Sequence, residues 1–121
     1  MQQIANVIIS IVALLHIYFL VLEMFLWTKY KTRKTFGTTE KFAEESKVMA
    51  ANQGLYNGFL AAGLVWALLE NDWHFSFHIK IFFLSCIIIA GIYGAISTKN
   101  KRLFFVQGLP ALVALVLLHF K

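Results

Sequence analysis

AANQGLYNGFLAAG, residues 50–63, is the stretch on which the interpretation of this chain depends. It lies within a largely apolar run, residues 48–69, that is long enough to cross a membrane as a helix. Four polar side chains nevertheless occur within six residues: Asn52, Gln53, Tyr56 and Asn57. Lipid offers an amide no hydrogen-bond partner, and an unpaired buried amide costs on the order of a few kcal/mol. These side chains are therefore expected to face protein, water or a ligand.

The composition is that of a membrane protein. The 121 residues are 60% apolar and 14% charged, whereas a soluble domain is roughly 45–50% apolar and about 25% charged. Each span needs about 20 largely apolar residues, and the chain has four such runs, at residues 4–27, 48–69, 79–97 and 103–119. We therefore predict an all-α, polytopic membrane protein, with residues 1–121 forming one domain, an antiparallel bundle of four transmembrane helices.

The basic residues predict the orientation of the chain. The first and third connections carry nine Lys and Arg residues, and the opposite side carries only Lys80 and Lys121. The positive-inside rule then places both connections in the cytoplasm and both termini outside. The net charge of +5 is interpreted as basic loops against an anionic membrane surface. The expected partner is thus membrane lipid, and no nucleic acid is expected.

The connections contain recognisable turn signals. Gly37 should interrupt the first connection, and Thr38 or Thr39 can cap a new helix that has Glu40 in its first turn. That helix is expected to run on into the second span. Residues 70–78 are interpreted as a short aromatic turn before the third span.

Polar residues recur at one depth on the four predicted spans. Each lies four or five residues inside the cytoplasmic end of its helix, which corresponds to roughly 6–8 Å. His16 shares a helix face with Glu23 and lies about 10 Å deeper. A single polar cavity in the cytoplasmic half of the bundle is therefore predicted. Its candidate ligand-binding residues are Glu23, Asn52, Gln53, Tyr56, Asn57, Gln107, His16 and Tyr93.

Two faces are predicted for the second span. Gly54 and Gly58 form a GxxxG pair, which allows close helix contact. The glycine face should pack on a neighbouring helix or on a second copy in a homodimer, while the face with Asn52 and Asn57 lines the cavity.

Several stretches together resemble one known family. They are HIYFLVLEMFLW at residues 16–27, the Phe36-Gly37 pair, the Phe-Ala-Glu-Glu run at residues 42–45, and AANQGLYNGFLAAGL at residues 50–64. The chain is similar throughout to the small bacterial integral-membrane family catalogued as domain of unknown function 1304. That resemblance implies a four-span protein of the bacterial inner membrane, and it implies no activity and no functional residue.

Catalytic and metal-binding signals are weak. The sequence has no HExxH motif, no phosphate-binding glycine loop and no recognisable Ser-His-Asp spacing, so catalytic residues stay unknown and an enzyme is the less favoured class. His74 and His78 are spaced as a helical metal clip, but a third ligand is missing nearby and we interpret them as interfacial packing. No cofactor is expected, because haem would want two histidines facing each other across the bundle.

Three functional classes stay open. The first is a membrane protein that binds a small amphipathic, lipid-like or quinone-like ligand in the polar cavity. The second is a proton-coupled small-molecule exporter that works as a dimer and uses Glu23, because the length and the Glu in the first helix are similar to the small multidrug-resistance transporters. The third is a membrane enzyme that acts on a lipid-soluble substrate, with Glu23 and His16 as acid and base.

Overall fold

The structure, a computed structural model, describes residues 1–120. Its helices are α1 (Gln2–Phe25), α2 (Tyr30–Phe36), α3 (Glu40–Leu69), α4 (Trp73–Ser97), α5 (Lys101–Leu103) and α6 (Leu109–Leu117), with a π-helical turn (Phe104–Gly108) between the last two. These 120 described residues contain no strand, so the all-α prediction is confirmed. Lys121, which was counted for the orientation, lies outside the described residues.

The first connection begins with a short helix that was not predicted. α2 ends at Phe36, and its C-cap Gly37 adopts a left-handed conformation (φ 69°) and donates its N–H to the Arg33 carbonyl. Glycine adopts this conformation without steric cost, which is why it often follows a helix C-terminus. The Thr39 hydroxyl then accepts a hydrogen bond from the Phe42 N–H at 3.1 Å. The predicted break and the predicted threonine cap are thus confirmed, and α3 runs without interruption to Leu69.

The aromatic turn is shorter than the sequence indicates. α4 begins at Trp73, six residues before the predicted start of the third span. Asp72 is its N-cap, and the Asp72 carboxylate accepts a hydrogen bond from the Phe75 N–H at 3.1 Å. This cap allows the aromatic residues that follow to be helical, so Lys80 lies inside α4 rather than at its entrance.

The last helical run is interrupted by a wider turn. Backbone angles stay right-handed helical from Phe104 to Leu109, and the Leu109 N–H donates to the Phe104 carbonyl, five residues earlier. Pro110 follows directly and has no N–H to donate to the Val106 carbonyl. The missing donor accounts for a wider turn at this point, since the α-helical pattern cannot be completed there.

Two helices are long and apolar enough to cross a membrane, α1 and α4. The predicted second span lies in α3, where the amides lower its hydropathy, and the fourth is divided among α5, the π turn and α6. A four-span bundle therefore stays a prediction.

The chain forms two compact units, which we describe separately. The larger unit consists of residues 1–15 and 60–120, and its core draws on α1, α3, α4 and α6. Fully or almost fully buried residues of this core are Ala5, Ile9, Val12, Leu64, Leu84, Ile87, Ala111, Ala114 and Leu118. The ring of Phe83 lies directly over Gly63, where an added Cβ atom would come within 2.2 Å of it.

The smaller unit consists of residues 16–59. Trp27 connects its parts: the indole N–H donates to the Ser46 hydroxyl at 3.0 Å, and the ring packs on Phe36 with the centroids 5.1 Å apart. Two further residues of this unit are buried, Thr32 on α2 and Ala43 on α3. The basic connection is thus an ordered part of this unit.

Candidate functional site

A buried carboxyl group is the most unusual feature of the smaller unit. Glu23 lies near the end of α1 and is only 3% exposed. The Asn57 side-chain amide donates to Glu23 Oε1 at 2.8 Å, and the side chain of Gln53 lies close to the same carboxyl group. Both partners are neutral amides from α3. The carboxyl group is therefore held by hydrogen bonds, without an ion pair among the contacts that the structure shows in residues 1–120.

Gly54 is the residue that allows α3 to approach Glu23. A Cβ atom added to Gly54 would lie 2.8 Å from Met24 Cγ, 3.0 Å from Glu23 Cβ and 3.2 Å from the Leu20 carbonyl oxygen. At Gly58 it would meet Leu20 Cδ1 at 2.6 Å. Both glycines therefore pack against α1 of the same chain. A homodimer through this face stays a prediction, and it would require the glycines to exchange their present contacts.

The predicted division of α3 into two faces is wrong for Asn57. Asn57 is buried on the side that also carries Gly54 and Ala50. The physical reason is the helical period: Asn57 follows Gly54 by three residues and Ala50 by seven, so all three point in similar directions. The amide that contacts Glu23 thus lies on the glycine face, not opposite to it.

Two other candidates on α3 point elsewhere. The Asn52 amide is exposed and donates to the carbonyl oxygen of Val48 on its own helix at 2.8 Å. Tyr56 is also exposed, with its ring 6.1 Å from that of Phe59. The structure therefore joins Glu23 to Asn57 and Gln53, and it leaves Asn52 and Tyr56 on the outer face of α3.

His16 is buried in the smaller unit, with its ring edge-on to Phe19 at a centroid distance of 6.1 Å. It precedes Glu23 by seven residues on the same face of α1. That spacing corresponds to about 10 Å of helix rise, which is too long for the two side chains to act as acid and base on one bond without another group between them.

The remaining candidates belong to the larger unit. Tyr93 is exposed on α4. Gln107 is half-buried in the π turn, where its Cβ would lie 3.7 Å from a Cβ added to Gly91. Convergence of Tyr93 and Gln107 with Glu23 in one cavity stays a prediction.

The structure also contains a buried cation, which in the sequence served only as one of the charges counted for the orientation of the chain. Lys80 is 7% exposed on α4, and its ammonium group donates to Asn6 Oδ1 of α1 at 2.9 Å. Nearby in the larger unit, the Ser76 hydroxyl donates to the Ala67 carbonyl at 2.7 Å. Recognition of Asp72 as a helix cap would have found this site, because it places Lys80 two turns inside an apolar helix.

The two outer histidines of α4 bond locally. The His78 ring nitrogen Nδ1 lies 2.7 Å from the His74 carbonyl oxygen, to which it must donate. Within residues 1–120, no group of three or more His, Cys, Asp or Glu side chains is placed to hold a metal ion.

Comparison with known proteins gives the family but no activity. Residues 10–119 match the family described as "Protein of unknown function (DUF1304)". The chain is 32% identical over 118 residues to "Uncharacterized protein YpaA" of Lactococcus lactis subsp. lactis. The match covers 95% of this chain and 97% of the relative. No solved structure matches the chain. On the extent of these two matches, the chain belongs to the DUF1304 family of proteins of unknown function.

Proposed function

We propose that this protein is an integral membrane protein that binds a small amphipathic or lipid-like ligand through the Glu23 carboxyl group. The observation that carries the proposal is the burial of this carboxyl group near the end of an apolar helix, with amides as its hydrogen-bond partners. A buried ionisable group is costly in a membrane helix, and such groups mark functional sites by default.

The surface of the two long helices supports the membrane assignment. Only 28% of the apolar window of α1 and 22% of that of α4 are buried. A core helix of a soluble protein would be mostly buried, whereas helices with exposed apolar faces need lipid or another protein to cover them. At 24 and 25 residues, each is about 36 Å long, which exceeds a hydrocarbon layer of about 30 Å. In the proposed topology, the apolar part of α3 and the α5–α6 segment are the other two spans of the bacterial inner membrane.

The chemistry of the cluster defines the kind of ligand. Carboxylate and amide oxygens accept hydrogen bonds, so the polar end of the ligand would carry an O–H or N–H group. Gln53 is exposed and lies close to Glu23, so an entering ligand would meet it first. Asn57, buried behind it, would orient the carboxyl group.

The experiment is to purify the protein with minimal washing, extract it with organic solvent and identify co-purified molecules by mass spectrometry. We expect Glu23→Gln to lose the molecule while it keeps the fold, because the amide preserves shape and can still accept from Asn57. Glu40→Gln is the matched control, since Glu40 is exposed in the first turn of α3. Retention of the same molecule at wild-type stoichiometry by Glu23→Gln would overturn the proposal.

A second candidate, proton-coupled export, is favoured by the neutrality of the partners of Glu23. A carboxyl group that is held by amides can gain or lose a proton without breaking an ion pair. Export predicts that cells which express the protein resist a toxic cation only while the proton gradient is intact, and that Glu23→Gln abolishes this resistance. Resistance that persists after the gradient is collapsed would exclude coupled export.

A further inference from the structure

An open apolar groove lies on the larger unit. It is lined by Ile92, Ala95 and Ile96 of α4, by Phe104 and Phe105 of the π turn, and by Lys101 of α5. Its volume is about 330 Å³. All of the lining side chains except that of Lys101 are apolar, and Ile96 and Phe105 are largely exposed.

The π turn and two glycines build the wall of this groove. A Cβ atom added to Gly91 would lie 3.0 Å from both Cα and N of Gly108, so the backbones of α4 and the π turn are in close contact there. A Cβ added to Gly108 would meet the Phe104 ring at 2.7 Å, which means that this ring rests on the glycine. Gly91 therefore allows the π turn to pack on α4, and Gly108 allows the Phe104 ring, which lines the groove, to occupy its position.

Lys101, the charged residue of this lining, belongs to a basic segment around the start of α5. Lys99, Lys101 and Arg102 occur within four residues, and all are exposed. Asn100 caps the segment, with its side-chain oxygen accepting from the Arg102 N–H at 3.1 Å. Three exposed cations thus occur in one short segment, and one of them, Lys101, lines the apolar groove.

We propose that this groove binds one anionic phospholipid, with an acyl chain along Ile92, Ile96 and Phe105 and the phosphate at Lys101 and Arg102. Charge complementarity identifies the occupant: the apolar lining fits a hydrocarbon chain, and the three cations fit an anionic head group. Basic pockets at the cytoplasmic ends of membrane helices bind anionic lipid head groups in this way. The inference rests on the proposed membrane assignment and not on Glu23.

The test compares lipids with identical acyl chains. The purified full-length protein in detergent micelles is titrated with phosphatidylglycerol or with phosphatidylcholine, and bound lipid is counted by native mass spectrometry. We expect phosphatidylglycerol to bind more tightly, and Lys101→Gln with Arg102→Gln to weaken its binding by roughly fivefold for each charge removed. The matched control is Lys31→Gln with Lys34→Gln, which removes two exposed charges from α2 and should leave binding within about twofold. Equal losses in both double variants would show a diffuse electrostatic effect and overturn the proposal.

A third variant tests the groove without a change of charge. Ala95→Phe fills the channel and should reduce phosphatidylglycerol binding by roughly fivefold or more, an effect comparable to the loss of one lipid-facing charge. If this variant does not give a monodisperse protein, Ala95→Leu replaces it with a smaller addition. Wild-type binding by the folded variant would overturn the proposal, because the head group alone would then account for the affinity.

Discussion

Asn52 and Asn57 carry the same side chain five positions apart on α3, and their surroundings are opposite. Asn57 is buried and donates to Glu23 Oε1, whereas Asn52 is exposed and donates to the Val48 carbonyl of its own helix. A buried donor contributes to stability chiefly because removing it leaves its acceptor unsatisfied. We therefore expect the two asparagines to contribute very differently to the free energy of unfolding.

The two asparagines give a direct comparison of stability. Asn57→Ala should lower the free energy of unfolding by about 1–3 kcal/mol, because Glu23 loses a hydrogen bond where water cannot replace it. Asn52→Ala should change it by no more than about 0.5 kcal/mol, as for other surface substitutions. Reversible unfolding in mixed micelles would measure both, and equal effects would contradict the assignment of Asn57 as the buried partner.

The sequence predicts part of this residue-level picture. Glu23 could be singled out because a carboxyl group in an apolar helix is expensive. Its partner could not be assigned from spacing, since Asn57 lies at the border between the amide face and the glycine face of α3. Packing at Gly54 determines which side of that border meets α1, and packing is a property of two helices, not of one sequence segment.

At the scale of the elements, the closest backbone approach described above joins Gly91 of α4 to Gly108 of the π turn. The sequence drew attention to the Gly54 and Gly58 pair because of its GxxxG spacing. Gly91 and Gly108 lie on different elements and form no motif, so only the structure reveals their contact. The start of α4 and the presence of α2 likewise depend on the capping residues Asp72 and Gly37, which a hydropathy profile does not take into account.

Gly91 and its neighbour Gly94 give a matched test of this contact. Gly91→Ala should destabilise the protein by about 1–3 kcal/mol, because the new methyl group meets the backbone of Gly108, which cannot move aside as a side chain could. At Gly94 the nearest atom is Leu103 Cδ1 at 3.8 Å, an ordinary contact. Gly94→Ala should therefore be neutral or stabilising by up to about 1 kcal/mol, as expected for alanine in a helix. The same unfolding assay measures both, and a harmless Gly91→Ala would show that the two elements are not in tight contact.

At the scale of the whole molecule, the charge distribution still predicts both termini outside. The basic residues counted on the opposite side were Lys80 and Lys121, and Lys80 is a buried residue of α4 rather than a loop charge. The positive-inside rule counts residues in the loops and near the helix ends. Nine basic residues still face no more than two, so the asymmetry on which the orientation depends is the same with Lys80 buried.

Reporter fusions would test the orientation and the number of spans together. With four spans, alkaline phosphatase should be active when fused after Asn71 or Phe120 and inactive after Gly37 or Asn100, because it is active only outside the cytoplasm. If only α1 and α4 cross the membrane, the fusions at Gly37 and Asn71 report the same side. A fluorescent protein that matures only in the cytoplasm gives the complementary pattern and serves as the control. Cytoplasmic signal from the fusion at Phe120 would contradict the predicted orientation.

The π turn also affects how the last helical segment responds to changes in chain length. A π turn contains one residue more than the α turn it replaces, so the segment is wound as though one residue had been inserted between Phe104 and Gly108. Each residue of an α-helix advances the direction of the side chain by about 100°. Removal of a single residue such as Val106 would therefore convert the π turn into an α turn and leave the direction of Lys101 relative to α6 largely unchanged. The same deletion in a regular α-helical part of the chain would rotate everything beyond it by about 100°, so this segment is where the chain can lose one residue without turning its side chains.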